Sequence, residues 1–263
     1  MRGTIKEFAP KSAVDLFYLL KFARWRLPLR QKYQPFVENK YGIEIGGPSS
    51  VFKNMLPIYQ FVAGLDGVNF SSDTVWEGRI KAGNTFNYDD HKSGRQFISE
   101  ATDLSEIATA RYDFLLSSNC LEHVANPIKA LAEWKRVIKL SGGLILVLPN
   151  KDSTFDHRRP VTKFEHLVED FASAVGEDDL THLDEILALH DLSMDPLAGD
   201  SERFRQRSLK NFENRTLHHH VFDNRLIEEM LDYLGLDIVD LTTTKTDFFA
   251  LAQKNREVGT ASG

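Results

Sequence analysis

Acidic and basic side chains cluster between Thr154 and Pro160, and their types suit proton transfer and anion binding. An imidazole can accept a hydroxyl proton near neutral pH, so His157 is the candidate general base, with Asp156 beside it to orient the ring. Arg158 and Arg159 are candidates for holding an anionic group of a substrate, such as a phosphate or a carboxylate. A second interpretation is that Asp156 and Arg159 form a structural ion pair.

A histidine triplet follows later in the chain, at His218, His219 and His220. In an extended segment the first and third of these share one face, so with an acid and another histidine they could complete a divalent metal site. No metal-binding spacing such as HExxH accompanies them. The pattern therefore favours three side chains that line a substrate pocket just before a helix, and no metal is predicted.

The central stretch, Tyr112 to Pro149, contains the elements that must position these side chains. Tyr112–Leu116 and Leu144–Leu148 are apolar runs typical of buried strands. Between them, apolar residues recur at helical spacing behind Asn126-Pro127, and Ser141-Gly142-Gly143 is predicted to end that helix. A strand, helix and strand of this length predict a right-handed parallel crossover and hence an α/β sheet.

Ligands of such sheets bind beyond the carboxyl ends of the strands, which here are followed by the segments Ser117–His123 and Asn150 onward. Upstream, Tyr41–Ser50 reads YGIEIGGPSS, a short strand running into a glycine turn where backbone amides can approach a ligand. Asp66, in the predicted strand Val62–Phe70, lies about twenty residues beyond that turn, a distance at which an acid can bind a ribose diol. It could equally be an aspartate of a turn before a glycine.

The combination of an LEH turn, a helix ending in WKRVIK and a GG-strand resembles the class I S-adenosylmethionine-dependent methyltransferases, and more narrowly the methyltransferase type 11 group. The resemblance covers about residues 41–148 and 222–254. It implies a Rossmann-like, mostly parallel seven-stranded sheet with an antiparallel last strand. It also implies S-adenosyl-L-methionine as cofactor and S-adenosyl-L-homocysteine as product.

The resemblance further implies a set of cofactor-binding residues at the strand ends. The glycine turn would lie under the methionine portion of the cofactor, although Pro48 and Ser50 stand where the family has further glycines. Asp103 and Leu104 match the acid and apolar residue that meet the adenine, and Asp103 could also cap the next helix. The implied cofactor-binding residues are Glu44, Gly46, Gly47, Pro48, Asp66, Asp103, Leu104, Ser118, Asn119 and His123.

Residues 151–217 depart from the resemblance, because roughly sixty-five residues are too many for a plain loop in a compact domain. We expect a helical cap inserted after the fifth strand, with short helices at Phe164–Phe171 and Leu183–Leu189. The predicted organisation is an N-terminal helical segment over 1–40, a methyltransferase domain over 41–150 and 218–255, the cap over 151–217 and a disordered tail over 256–263.

Composition limits the partners. The chain has 263 residues and a net charge of -6, which argues against a general nucleic-acid binder. The single cysteine, Cys120, suits a reducing cytoplasm and is interpreted as a packing residue rather than a nucleophile. No stretch is long and apolar enough to span a bilayer. A basic amphipathic helix at Ser12–Leu27, ended by Pro28, could contact a membrane or cover the cofactor, but core packing is favoured.

These patterns predict a cytoplasmic methyltransferase that transfers a methyl group to an oxygen of a small polar or sugar-containing molecule, with His157 as base. They do not predict an oligomeric state. One alternative is a nicotinamide-dependent reductase or epimerase, which is disfavoured because the sequence lacks GxGxxG and Tyr-x-x-x-Lys motifs. Another is a non-catalytic binding module with the same fold.

Overall fold

A computed structural model describes residues 28–255 of the chain, which form an α/β structure around one large sheet. The strands are β1 (Tyr41–Ile45), β2 (Gly64–Asn69), β3 (Asp73–Thr74), β4 (Gly78–Arg79), β5 (Gly83–Asp89), β6 (Lys92–Ile98), β7 (Tyr112–Ser118), β8 (Ile138–Pro149), β9 (Asp237–Thr243) and β10 (Asp247–Gln253). The helices are α1 (28–37), α2 (Pro127–Val137), α3 (Phe164–Ala172), α4 (Leu183–Leu189), α5 (Ser201–Leu209), α6 (Asn211–Asn214) and α7 (Asn224–Tyr233).

The large sheet has eight strands in the order β5-β6-β2-β1-β7-β8-β10-β9. Strands β6, β2, β1, β7 and β8 are parallel, and β10 is antiparallel to both of its neighbours. The predicted parallel core and antiparallel last strand are therefore confirmed. The predicted number of seven strands is wrong, because β5 pairs antiparallel with β6 and adds an eighth.

Strand β5 lies in residues 71–95, a stretch whose polar composition predicts irregular structure. Phe86 and Tyr88 are buried and alternate with more exposed neighbours, a period of two that is typical of a strand with one buried face. Trp76, a large apolar residue of this stretch, is 53% exposed. The alternation was a better guide here than the overall polarity.

The crossover between β7 and β8 is built as predicted. The Asn126 side chain accepts a hydrogen bond from the Lys129 amide, and Pro127 occupies the first turn of α2. The helix ends at Val137, however, and Ser141-Gly142-Gly143 lies within β8 at an irregularity in its register. A glycine is required at 142 because a Cβ there would lie 2.7 Å from the Asp113 carbonyl oxygen of β7.

Apolar side chains form two large buried clusters that together include residues from β1, β2, β7, β8 and β10. In the first, Trp134 and other residues of α2 pack with α7, and in the second Tyr33 of α1 packs with residues 52–62. After the glycine turn the chain forms a short π-helical segment, Val51–Met55.

The insert between β8 and α7 contains four helices, α3 to α6. The predicted α3 and α4 are confirmed within a residue, whereas α5 and α6 were not predicted. Helix α5 is strongly charged and buries little apolar surface besides Phe204, so its sequence lacks a clear apolar stripe. Ile186, Ala198, Phe204 and Leu217 form a third, separate apolar cluster, which gives the insert a small core of its own.

The predicted helix Ser12–Leu27 and the tail 256–263 lie outside the described residues. The described chain begins at Pro28, which is helical as part of α1. Among residues 28–255, no helix combines the length and the apolar character needed to cross a membrane.

Candidate functional site

A cleft of about 490 Å³ opens at the carboxyl ends of β1, β2, β6 and β7. This is the edge at which parallel α/β sheets bind ligands. Its wall contains the glycine turn after β1, the ends of β2 and β6, the loop after β7, and three residues from beyond β8. The polar members of the wall are Ser49, Ser50, Asn69, Glu77, Ser99, Glu100, Ser118, Asn119, Glu122, His123, Glu177, Arg215 and His218.

The glycine turn packs too tightly for side chains at two positions. Gly46 has φ +80°, and a Cβ on it would lie 2.8 Å from the Cys120 sulfur. A Cβ on Gly47 would lie 2.2 Å from the Glu44 carboxyl carbon. Gly46 and Pro48 line the cleft, so the turn presents its backbone to a ligand as predicted from its sequence.

Glu44 stabilises this turn through hydrogen bonds on the side away from the cleft, and it is absent from the cleft wall. Its two oxygens accept hydrogen bonds from the Ser49 amide, at 3.0 Å, and the Tyr59 hydroxyl, at 2.6 Å. Burial raises the pKa of the Glu44 carboxyl to about 8, although both hydrogen bonds act in the opposite direction. The prediction that Glu44 touches the cofactor is corrected to a supporting role beneath the turn.

Substituting Gly46 by alanine should weaken S-adenosylhomocysteine binding by at least about tenfold, because the new Cβ would displace Cys120 in the cleft wall. The matched control is Gly78→Ala. Gly78 also has a positive φ, of +62°, but it has open space where a Cβ would stand. Both variants should lose about 1–2 kcal/mol of stability from the left-handed backbone. Isothermal calorimetry would show equal affinities for the two if the turn did not contact the ligand.

Asp66 does not reach the cleft, which corrects its predicted ribose-binding role. It lies in the middle of β2, fully buried, where the hydroxyls of Tyr41 and Tyr112 donate to its two oxygens at 2.7 and 2.8 Å. The strand ends three residues later at Asn69, which lines the cleft and donates to the Gly47 carbonyl at 2.9 Å. Counting residues from the turn gave the correct strand but missed its end.

Asp103 and Leu104 also lie away from the cleft wall. Asp103 is exposed and accepts from the Ser105 amide at 3.0 Å, while the Leu104 amide donates to Glu133. Residues 101–110 form turns, so the helix that Asp103 was predicted to cap is absent and this alternative is wrong as well. The residues that follow β6 in the cleft wall are instead Ser99, Glu100 and Ala101. The adenine-contact prediction therefore named residues that lie beyond the part of this loop that lines the cleft.

His157 and Arg158 lie at the surface and are absent from the cleft wall. His157 Nε2 lies 2.9 Å from an Asp191 carboxylate oxygen, and Arg158 donates to the same oxygen at 2.7 Å. Their side chains are 35% and 52% exposed. The structure therefore contradicts the pairing of His157 with Asp156 and the placing of His157 beside the transferred methyl group.

Arg159 is the buried member of the arginine pair, with a side chain that is 1% exposed. Its guanidinium donates to Glu185, to Asp156 and to the backbone carbonyls of His218 and His219, at 2.8 to 3.1 Å. The structural interpretation of the Asp156–Arg159 pair is confirmed. With these donors occupied, Arg159 does not serve as the predicted anion-binding side chain.

Asp156 instead orients His218, whose ring lines the cleft. The distance from Asp156 Oδ2 to His218 Nδ1 is 2.5 Å. Burial alone would raise the pKa of Asp156, but His218 and Arg159 outweigh it and lower that pKa to about 2. An ionised carboxylate only accepts hydrogen bonds, so Nδ1 carries a proton, and in the neutral form of the ring Nε2 carries the lone pair.

The surroundings of His218 are strongly polar. Burial works to lower the pKa of His218, but the hydrogen bond and the charge of Asp156, with Glu122, raise it overall. The His123 ring lies edge-on to the His218 ring, with centroids 4.6 Å apart, and its Nδ1 is 3.0 Å from the Leu217 carbonyl. The ring of Trp76 lies 5.1 Å from that of His123 at the cleft.

His219 and His220 are buried outside the cleft, which corrects their predicted substrate contacts. His219 Nε2 lies 2.9 Å from the Asn211 amide nitrogen, and His220 Nε2 lies 3.0 Å from the Ala125 carbonyl oxygen. Burial lowers the pKa of His219 to about 4. Burial also raises the pKa of the Cys120 thiol to about 12, which keeps it protonated and supports its interpretation as a packing residue.

Two buried polar atoms of the cleft wall, Ser118 Oγ and Glu122 Oε2, have no hydrogen-bond partner among residues 28–255. Burial raises the pKa of Glu122 to about 7. Unpaired buried groups cost about 1–3 kcal/mol each, so these atoms mark places where a ligand would supply the partner. Glu122 belongs to the LEH turn, which could have identified it from the sequence.

Comparison with known proteins gives one family match. Residues 56–147, about a third of the chain, match the family model described as a methyltransferase domain. A search of curated proteins finds no match. The matched segment runs from the helical turn after the glycine loop to β8, and it includes the strand ends that form most of the cleft wall.

Solved structures agree in fold. PH0226 from Pyrococcus horikoshii OT3 aligns with a TM-score of 0.50 and 14% identity over 96% of this chain and 100% of that one. A Burkholderia thailandensis 1,6-didemethyltoxoflavin-N1-methyltransferase, solved with 1,6-didemethyltoxoflavin and S-adenosylhomocysteine, aligns with a TM-score of 0.47 and 10% identity over 97% and 92%. At these identities, only the likeness to PH0226 is close enough to carry weight, and it shows the fold alone.

The cleft fits S-adenosylmethionine in shape and in donor set. Its volume is within the range of small-molecule sites, and the turn at Gly46 leaves room for backbone contact. Asn69, Glu100 and Ser118 offer polar atoms for hydroxyl and amino groups. The domain match, the strand order and this cleft lead to one conclusion: residues 56–147 are similar to a methyltransferase domain, and the cleft at the strand ends has the volume and the polar groups to hold S-adenosylmethionine.

Proposed function

We propose that this protein is a class I S-adenosylmethionine-dependent methyltransferase that methylates a hydroxyl group of a small polar molecule, with His218 as the general base and Asp156 as the residue that positions it. The observation that carries the proposal is the Asp156–His218 pair at the cleft wall. This pair replaces His157, which the sequence favoured.

A bound sulfonium supplies an already activated methyl group, so the protein must align the acceptor and remove its proton. Because His218 Nδ1 donates to Asp156, Nε2 is the atom that is free to accept the hydroxyl proton. The partly buried ring is held in one tautomer, as a positioned general base requires. Arg159 in turn holds Asp156, so the ring is fixed by two successive contacts.

The insert supports a polar, sugar-like acceptor rather than an anionic one. Glu177 and Arg215 reach the cleft from residues 151–217, and Arg215 is paired with both Glu100 and Glu177 at 2.7 and 2.6 Å. The acidic groups of the wall favour hydroxyl donors over phosphates. The exposed Trp76 ring offers a flat apolar face on which a sugar could stack.

This arrangement supports a division of the chain in which residues 41–150 and 218–255 bind the cofactor and the insert over 151–217 selects the acceptor. The separate apolar cluster of the insert supports that division. The lone, protonated cysteine is consistent with a cytoplasmic location.

The proposal is tested with the purified full chain in an assay for S-adenosylhomocysteine release. Polyhydroxylated acceptors should be methylated, and matched analogues that lack one hydroxyl or carry an amine in its place should not. Calorimetry should show binding of S-adenosylhomocysteine but not of a reduced nicotinamide cofactor. Transfer to amines alone would overturn the oxygen acceptor, and binding without any transfer would favour the non-catalytic alternative.

A further inference from the structure

Four metal-binding side chains meet inside the insert, away from the cleft wall. His166 and Asp170 lie one turn apart on α3, His182 directly precedes α4, and His220 lies on the segment that leads to α7. One ligand atom from each of the four lies within 4.8 Å of the others. We propose that His166, Asp170, His182 and His220 bind a divalent transition-metal ion, for which zinc is the best chemical match.

The distances suit a tetrahedral site. His166 Nε2 is 2.9 Å from His182 Nε2 and 3.3 Å from Asp170 Oδ2, and His220 Nε2 is 3.8 Å from Asp170 Oδ2. Ligand atoms about 2.0–2.2 Å from a zinc ion would stand roughly 3.3–3.5 Å apart. The two separations at His166 lie at or just below that value, and the four ligand atoms all lie within 4.8 Å of one another, so small movements of the side chains would complete the coordination.

Hydrogen bonding within the cluster leaves one of these groups, the His220 ring, without a partner for one of its nitrogens. A neutral imidazole has one N–H and one lone pair, and two Nε2 atoms 2.9 Å apart can share only one proton. His220 has a nitrogen, Nδ1, that is buried and without a hydrogen-bond partner in the described part of the chain. A metal ion would accept the lone pairs that point into the cluster and that have no N–H or O–H partner among the described residues.

His220 also has the secondary contact that is usual for a metal-binding histidine. One of its ring nitrogens is bonded to the Ala125 carbonyl, and such a contact commonly fixes the tautomer of a ligand histidine. With Nε2–H donating to that carbonyl, Nδ1 of the neutral ring carries the lone pair, so Nδ1 is the atom that would bind the ion.

Four protein ligands without an open position are typical of a structural metal site rather than a catalytic one. The ion would join α3, the turn before α4 and the segment of His220. The same segment carries His218 two residues earlier, so the ion would also hold the candidate base in place. The binding proposal itself does not depend on the acceptor chemistry.

A second cluster, Glu122, His123 and His218, lies at the cleft and is the competing location. Its His218 already bonds to Asp156, and His123 Nδ1 lies against the Leu217 carbonyl. An ion there would compete with contacts that the cluster already makes. The four-residue cluster is therefore the one that the geometry favours.

The test uses the full chain, stripped with a chelator and titrated with Zn²⁺ alone by calorimetry. We expect one ion per chain, a higher melting temperature with zinc, and strong visible absorption with Co²⁺ as a tetrahedral site gives. Asp170→Asn, which is nearly isosteric, and His182→Ala should each weaken zinc binding by at least about tenfold. His157→Ala is the matched control from the same insert and should bind zinc as the parent does.

Circular dichroism of the metal-free variants would show whether each remains folded, and the Asp170→Asn result decides if His182→Ala does not. Failure of the parent to bind Zn²⁺, or equal binding by parent and Asp170→Asn, would overturn the site. A loss of binding in His218→Ala with none in His182→Ala would assign the ion to the cleft cluster instead. These readouts need no methyl acceptor, so they are independent of the proposed function.

Discussion

Replacing His218 by alanine should lower kcat by about 10²–10⁴-fold while the affinity for S-adenosylhomocysteine stays within about twofold of the parent. The range is the usual contribution of a positioned general base. The change removes the lone pair that accepts the hydroxyl proton but leaves the glycine turn and the ends of β2 and β6 intact. Steady-state kinetics and calorimetry on the same preparation measure both quantities.

His157→Ala is the matched control, because His157 also bonds to an aspartate but lies outside the cleft wall. Its kcat should remain within about twofold of the parent. If His157→Ala slowed turnover and His218→Ala did not, the base would be His157 after all. Equal, small effects of both would show that the acceptor needs no base.

Asp156→Asn separates positioning from loss of the ring. An asparagine can still contact His218, but its amide no longer enforces a protonated Nδ1, so the lone pair is no longer fixed on Nε2. We expect a fall in kcat of roughly tenfold to a hundredfold, smaller than that of His218→Ala, with little change in KM. A fall equal to that of His218→Ala would indicate that Asp156 acts on the acceptor itself.

Local sequence patterns predicted the positions of most strands and helices, but they did not predict which side chains line the cleft. The Asn126-Pro127 start of α2 and the glycine turn at Gly46 are set by neighbouring residues, so they were predictable. The side chains that reach the cleft from the ends of β2 and β6 depend on pairing with distant strands. Asp66 and Asp103 were chosen from the sequence, whereas Asn69 and Glu100, each three positions away, line the cleft. A shift of an odd number of residues also moves a side chain to the opposite face of a strand.

The proposed base could not be identified from sequence spacing, because His218 and Asp156, the residue that orients it, are 62 residues apart in the chain. Asp156 and His157 are adjacent and looked like a pair, yet they turn to different partners. The insert brings His218 back to Asp156 through α3 to α6, and two of those helices gave no clear apolar pattern. Only the folded insert shows which histidine faces the cleft.

Arg158 and Arg159 show the same limit, since two identical side chains in adjacent positions have opposite environments. Arg159→Met should lower the free energy of unfolding by about 3–5 kcal/mol, because it leaves the Asp156 charge and two backbone carbonyls buried without their donor. Arg158→Met removes an exposed ion pair and should cost less than about 1 kcal/mol. Urea unfolding of the two variants and the parent measures the difference.

The comparison also decides between a structural and a substrate-binding arginine. If Arg159 holds Asp156 in place, Arg159→Met should have both a lower stability and a lower kcat, because Asp156 and His218 lose the contact that positions them. An anion-binding role predicts a higher KM for an anionic acceptor with unchanged stability. An excess of that acceptor would then restore the rate. Equal stability of Arg159→Met and Arg158→Met would therefore contradict the structural role of Arg159 and would favour its predicted role in binding the substrate.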